Sequence, residues 1–196
     1  MRMSDVDICN TSLALLGSTD FIQLLTDTDS VWARRCNQFF KSSVELVLRE
    51  HDWHCATHSA ELARNTSGPA SKEYTYSYAL PTDCVRVIDV LGAEDYSPYD
   101  RWRIAKRNVI TDLGTCYLKY VQMPEDYKTL DVILAETIAY KLSLRLAASY
   151  IKDKEMYQIL NYAYNDNLKR AKAADTLENQ EAFTENDRYE DARLSV

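Results

Sequence analysis

Glycine and proline are scarce, with four of each in 196 residues. So few breakers leave little room for long irregular loops, and most of the chain is expected to fold. The shortage of glycine also excludes whole classes of chemistry. No GxGxxG or Walker loop is present to cradle a phosphate, and no GxSxG elbow to present a nucleophilic serine. No apolar run approaches the length of a bilayer-spanning helix. Residues 1–20 carry Asp5 and Asp7 and no long apolar run, so a secretory leader is not expected there. The five cysteines, Cys9, Cys36, Cys55, Cys84 and Cys116, are odd in number and contain no CxxC pair. Reduced thiols serving as small buried hydrophobes in a cytosol are the expectation. Cations are outnumbered 23 to 30, for a net charge of −7. Such a chain is a poor general binder of nucleic acid, which needs clustered Lys and Arg.

What is present is a core and an aromatic surplus. Hydrophobic residues make up 46%, enough for one domain with a substantial interior, and there are fourteen tyrosines and three tryptophans. Buried, they fill a core; exposed, they suit protein–protein contacts. The negative charge is uneven. Residues 175–196 hold seven acids against Arg188 and Arg193, so the rest of the chain is close to neutral.

Hydrophobic period divides the chain into three parts. In the first, Ser4 is a capping candidate and Val6, Ile8, Cys9, Leu13, Leu15 and Leu16 predict a helix over about 5–16, with Gly17 as its stop. The loop STDFIQLLTDTDS follows. Asp29 or Ser30 can cap a second helix over about 30–51, marked by Cys36, Phe39 or Phe40, and Val44. In the second part, about 55–122, the period changes. Tyr74, Tyr76 and Tyr78 alternate with small polar residues, VRVIDVL at 85–91 is β-branched, and RWRIAKRNVITDL and TCYLKYV supply more strands. Turns are expected at 65–71, 95–100 and 112–115. Residues around 55–62 do not decide between helix and strand. Few cations, Lys72 and Arg86, lie near the tyrosine strand, which argues against a base-stacking platform.

The third part is helical again. Pro124 with Glu125 and Asp126 suits the start of a helix over about 125–151, whose stripe is Leu130, Ile133, Leu134, Ile138, Leu142 and Leu146. Asp153 can cap a last helix over 154–178. After Gln180 the period fades, and residues 181–196 are expected to form an extended C-terminal arm. The fold class expected is α+β, mainly α: a four-helix bundle core in one domain, 1–180, with a small antiparallel β insertion.

One stretch holds chemistry. HDWHCATH contains all three histidines, and on a helix His51, His54, Cys55 and His58 would share one face, the spacing of a metal site. On a strand the set splits between two faces. The stretch lies where the period changes, and the HExxH signature is absent because Asp52 stands where the general-base Glu belongs. Boundary histidines flanking a buried Trp53 are the plainer reading, with no metal and no cofactor. A metal-binding protein or metal-dependent hydrolase using this cluster is the alternative. No other catalytic constellation is present; Glu94 and Asp95, or Asp187 and Glu190, sit in turn-like or tail-like contexts.

The ordered set of motifs resembles the head-to-tail adaptors (connectors) of tailed bacteriophages, of the tail tubular protein A type. The matching stretches are Leu13-Ala14-Leu15-Leu16-Gly17, the long helix ending in Asp52-Trp53, and Tyr78-Ala79-Leu80-Pro81 turning into a strand. Tyr117 to Met123, followed by Pro124 and a helix with Ala135, Ala139, Leu142, Leu146, Ala147 and Ala148, completes the set, which covers roughly residues 5–180. The chain departs from the pattern at Cys55, where many relatives carry an aromatic, and in its histidines. The resemblance implies a structural virion protein made in the host bacterial cytoplasm, with no enzymatic activity. It implies a homododecameric ring below the portal protein, joined to the tail nozzle or tube. DNA crosses the ring on packaging and ejection without specific binding, and no membrane is involved. The acidic balance is compatible with a lumen that lets DNA slide. The arm is then a portal-docking element anchored by Phe183, Tyr189 and Leu194.

Overall fold

The structure, a computed structural model, describes residues 2–65, 72–91 and 102–191, the last thirteen of these by backbone alone. The chain divides into two compact units: a helical one, residues 1–55 and 124–196, and a β one, residues 56–123. Of the turns expected at 65–71 and 95–100, all but Asn65 lies outside the described residues, as does Leu194.

The helical unit begins with helix α1, Asp5–Leu15. Ser4 caps it reciprocally: the Ser4 hydroxyl accepts from the Asp7 amide at 3.2 Å, and the Asp7 carboxylate accepts from the Ser4 amide at 2.9 Å. The exchange holds the Asp7 carboxyl below its ordinary value, the Ser4 hydroxyl being the largest cause. Gly17, at φ +74, ends the helix. Its amide reaches Ala14 O, and the Ser18 amide reaches Leu13 O, the double bond of a Schellman stop. Helix α2, Val31–Leu48, is capped by Ser30, whose hydroxyl accepts from the Ala33 amide. It stops three residues before the expected His51. Trp53 folds back there, buried, and its indole N–H donates to Val47 O at 3.2 Å, satisfying a carbonyl that a longer helix would have used.

The helix expected from Pro124 starts later. Residues 127–129 make one 3₁₀ turn, Leu130 is extended, and Asp131 caps helix α3, Val132–Leu146, by accepting from the Ile133 amide at 2.8 Å. Asp126 caps the short turn instead. Past Leu146 the chain makes a π-helical turn, Ala147–Ile151, closed by the Lys152 amide on Ala147 O, with Lys152 left-handed at φ 58. Asp153 then accepts from the Glu155 and Met156 amides and starts helix α4, Lys154–Asp191.

Two expectations are corrected here. The extended arm is not extended: through Asp191 its backbone continues α4, a helix of 38 residues, about 57 Å at 1.5 Å per residue. No glycine or proline interrupts residues 154–191, and most of the polar residues after Gln180 are tolerated in a helix, so a fading apolar stripe did not mark the end of the helix. Nor is the fold a four-helix bundle carrying one small sheet; four helices and two three-stranded antiparallel sheets are found among the described residues. In the helical unit α1, α2 and α4 each pack chiefly on α3, nine of whose fifteen residues are buried. A helix apolar on most sides belongs at a centre, not at the corner of a bundle.

The β unit has its own core. Strands β1 (Thr57–Glu61), β2 (Tyr76–Ala79), β3 (Cys84–Leu91), β4 (Trp102–Ala105), β5 (Asn108–Thr111) and β6 (Tyr117–Gln122) form sheets of order β1-β6-β3 and β2-β5-β4. Pairing with β6, Thr57 against Val121 through Glu61 against Tyr117, settles the undecided segment as strand, preceded by a 3₁₀ turn at His54–Ala56. β3 reaches β6 only with register shifts at Cys84/Arg86 and Val87/Asp89. Tyr78, Val109, Cys116 and Leu118 lie at the centre, nearly or fully buried, and the Tyr78 hydroxyl donates toward the Leu113 and Gly114 carbonyls. Burying Tyr78 removes it from any base-stacking role. β4 and β5 meet through Lys106 and Arg107, both left-handed at φ 48 and 60. This is the I′ geometry that ordinarily selects Asn and Gly.

Candidate functional site

The histidine stretch does not act as one set. His51 sits in the turn after α2, and its Nε2 lies 3.1 Å from Asp175 Oδ2 on α4. His54 Nδ1 lies 2.9 Å from the same oxygen, and the His54 amide donates to Asp175 Oδ1 at 3.0 Å. One carboxylate, its side chain 10% exposed, thus accepts three N–H groups. That arrangement fixes the tautomers: the proton is on Nε2 of His51 and on Nδ1 of His54 whenever each ring is neutral. One helical turn earlier, Lys172 reaches Glu50 at 3.5 Å. The His51 ring also meets Trp53 edge-on at 5.0 Å. The cluster therefore stitches the end of α2 to α4.

The other two members go elsewhere. Cys55 is exposed, against the expectation of a buried thiol; partial desolvation first, then the Asp175 and Asp131 carboxylates, push its thiol above its ordinary value. A protonated thiol is a poor ligand and nucleophile. His58 belongs to the β unit, on β1 opposite Tyr120, whose ring it meets edge-on at 5.6 Å. Among the described residues no group of three or more His, Cys, Asp or Glu side chains is arranged to hold a metal ion. Sequence reasoning missed Asp175, which stands 124 residues from His51 and had read as one more acid of the tail.

The surface offers a second kind of site. The loop between α1 and α2 is pinned at both ends. Asn10 donates to Ile22 O and accepts from the Ile22 amide, at 3.0 and 2.9 Å, and Ile22 is buried. Trp32 donates to Asp20, and Arg34 donates to Thr28 O. Arg35 lies over both the Trp32 and Tyr150 rings, 4.8 and 4.2 Å from their centres, and the Tyr150 hydroxyl donates to Gln38. Held this way, the loop presents Phe21 and Leu24 to solvent, 74% and 62% exposed. On α4, Leu160, Tyr164, Leu168 and Ala171 face inward; burial pushes the Tyr164 phenol up to about 12, with Glu50 adding to it. The outward face carries Ile159 and Tyr162, 68% and 78% exposed. Beyond Asp175, residues Thr176, Leu177 and Glu178 are exposed. Of the docking residues expected from sequence, Phe183 and Tyr189 lie on the helical backbone of α4.

No protein-family model matches the chain, and no curated protein matches it in sequence. Among the described residues no helix is long and apolar enough to cross a membrane.

Proposed function

We propose that the chain is a structural head-to-tail adaptor of a tailed bacteriophage virion, forming a ring of twelve copies between the portal protein and the tail nozzle or tube. It performs no chemistry in this reading, and DNA passes through it. The observation that carries the proposal is α4. It stays packed in its unit as far as Asp175 and then continues as helix to Asp191, with Thr176, Leu177 and Glu178 exposed. Thr176, Leu177 and Glu178 present apolar and acidic side chains that another protein can cover. The order of motifs over residues 5–180 supplies the partner by resemblance: the portal ring, with Phe183, Tyr189 and Leu194 as anchors. The pinned loop and its exposed Phe21 and Leu24 support an assembling protein for the same reason.

Deleting residues 181–196 tests this. The truncated chain is expected to keep its thermal transition, to lose only the helical circular dichroism of the deleted residues 181–191, and to lose co-sedimentation with the portal ring encoded by the same genome. Undiminished co-sedimentation removes the arm from the account. The competing reading, metal binding or metal-dependent hydrolysis at His51 to His58, predicts a stoichiometric transition metal in protein purified without chelator.

A further inference from the structure

Two segments of the helical unit carry cations and no acid. Residues 31–44 of α2 hold Arg34, Arg35 and Lys41; residues 137–152, the rest of α3 and the π-helical turn after it, hold Lys141, Arg145 and Lys152. The two helices pack on each other. Among the described residues none of these cations has a carboxylate within ion-pair distance. The acids at the border are engaged elsewhere: Glu45 with Arg49, Asp20 with the Trp32 indole, and Asp153 with the first amides of α4. Aromatic rings hold two of the cations in place. Arg35 lies 4.8 Å from the Trp32 ring centre and 4.2 Å from that of Tyr150; the Tyr150 and Phe39 rings are 6.2 Å apart, and Arg145 lies 4.9 Å from Phe39. Both arginines are half-buried. Arg145 donates to Ser42 Oγ at 2.7 Å, whereas Arg35 has no hydrogen-bond acceptor among the described residues. The π-helical turn, closed by left-handed Lys152 at φ 58, is what brings Tyr150 to Arg35. A guanidinium taken partly out of water with its N–H donors unmatched is half of an ion pair.

We infer that Arg35 and Arg145 form a binding site for an acidic segment of another protein, which sets a carboxylate on Arg35 and an apolar side chain beside it. Carboxylate and phosphate both match a guanidinium fork, and the surroundings choose between them. Val31, one helical turn before Arg35, is 47% exposed, and Phe21, next to the Asp20 that bonds Trp32, is 74% exposed. Residues 18–30, tied to the site by that bond, hold Asp20, Asp27 and Asp29 and no cation. A nucleic-acid backbone, charged at every step, would lay phosphates against those acids. A protein segment can place one carboxylate on the arginine and apolar side chains on Phe21 and Val31. The inference does not depend on the adaptor reading.

Titration of the full-length protein by calorimetry at physiological salt tests it. The probes are a blocked peptide of alternating glutamate and leucine, its glutamine counterpart, and an oligothymidylate of equal charge. Circular dichroism checks the fold of each variant. The glutamate peptide is expected to bind and the glutamine peptide not to. Arg35→Gln and Arg145→Gln should each weaken binding about tenfold or more. Arg35→Lys keeps the charge and loses the fork, so it should weaken binding too, a loss that diffuse attraction to a cation would not produce. Arg170→Gln, on α4 and paired with Asp166, should leave the affinity unchanged. A glutamate peptide that fails to bind, or whose affinity ignores the Arg35 and Arg145 variants, overturns the inference. So does oligothymidylate bound more tightly than the peptide through the same two arginines.

Discussion

The two units of this chain are built by different means. The β unit contains eight acids and eight cations, so the whole formal charge of −7 falls on the helical unit. The helical unit is organised by local signals: a capping box at Ser4, a left-handed glycine at Gly17, and Asp131 and Asp153 as caps, each satisfying amides within a few residues. The β unit is organised by pairings distant in sequence. Its two sheets interleave, because β2, β5 and β4 form one while β1, β6 and β3 form the other. Its tightest turn keeps two strained cations where Asn and Gly would fit better. A unit made of long-range pairings depends on its few central side chains, and a unit made of capped helices can lose one contact and keep the rest.

The largest expected effect follows from that difference. Leu118 is fully buried at the centre of the β unit. Leu118→Ala should cost about 2–5 kcal/mol there and speed amide exchange across β1, β3 and β6, while α3 keeps its protection. Equal loss of protection in α3 would show that the two units unfold as one, and the distinction between them would fall. Next is the stitch in the helical unit. Asp175→Asn leaves a single acceptor oxygen for three N–H groups and should cost about 1–3 kcal/mol, with faster exchange confined to residues 49–55 and the adjoining turn of α4.

A smaller effect has the opposite sign. Lys106→Asn/Arg107→Gly supplies the residues that an I′ turn favours and should stabilise the β unit by about 0.5–1 kcal/mol. The lost bond from Arg107 to Pro81 O offsets part of that gain. A lower thermal midpoint in the variant would mean that the two cations contribute more than their backbone strain costs. The smallest effect is one of pH. Asp7 has a folded value below its ordinary 3.8, the Ser4 hydroxyl being the main cause, so its contribution is present above that ordinary value and is lost as pH falls through the lower folded one. The gap in thermal midpoint between wild type and Asp7→Ala should therefore narrow on acidification below about pH 4. A gap that stays constant would mean the capping box contributes nothing through charge.

Much of the helical unit was legible because its signals are local. Ser4, Gly17 and Asp153 could be placed from sequence, and the structure finds each of them doing the work assigned; of Asp29 and Ser30, between which the sequence did not choose, Ser30 is the cap. Pro124 misled: a proline suits a first helical turn, but Asp126 and Asp131 compete as caps, and tertiary packing starts α3 at Val132. The end of α2 was overrun because the stop comes from Trp53 folding back on Val47, not from a breaker. The arm was misjudged because a fading apolar stripe does not end a helix that no glycine or proline interrupts. In the β unit the alternation at Tyr76 and Tyr78 was visible, but sheet membership was not, since nothing in a strand names its partner. The histidines were visible and their partner was not. Asp175 reaches them from α4, and a periodicity reading confined to one stretch asks only whether the four residues face each other. In the structure the two that converge do so on a residue outside the stretch.

Native mass spectrometry of the purified full-length chain, alone and mixed with the portal ring encoded by the same genome, tests the central claim most directly. The account predicts a discrete gain in portal mass equal to a ring of copies, twelve by the resemblance, with no metal ion on the free chain. An unchanged portal mass beside a chain carrying a bound metal would contradict it and return His51, His54 and Asp175 to the centre of the problem.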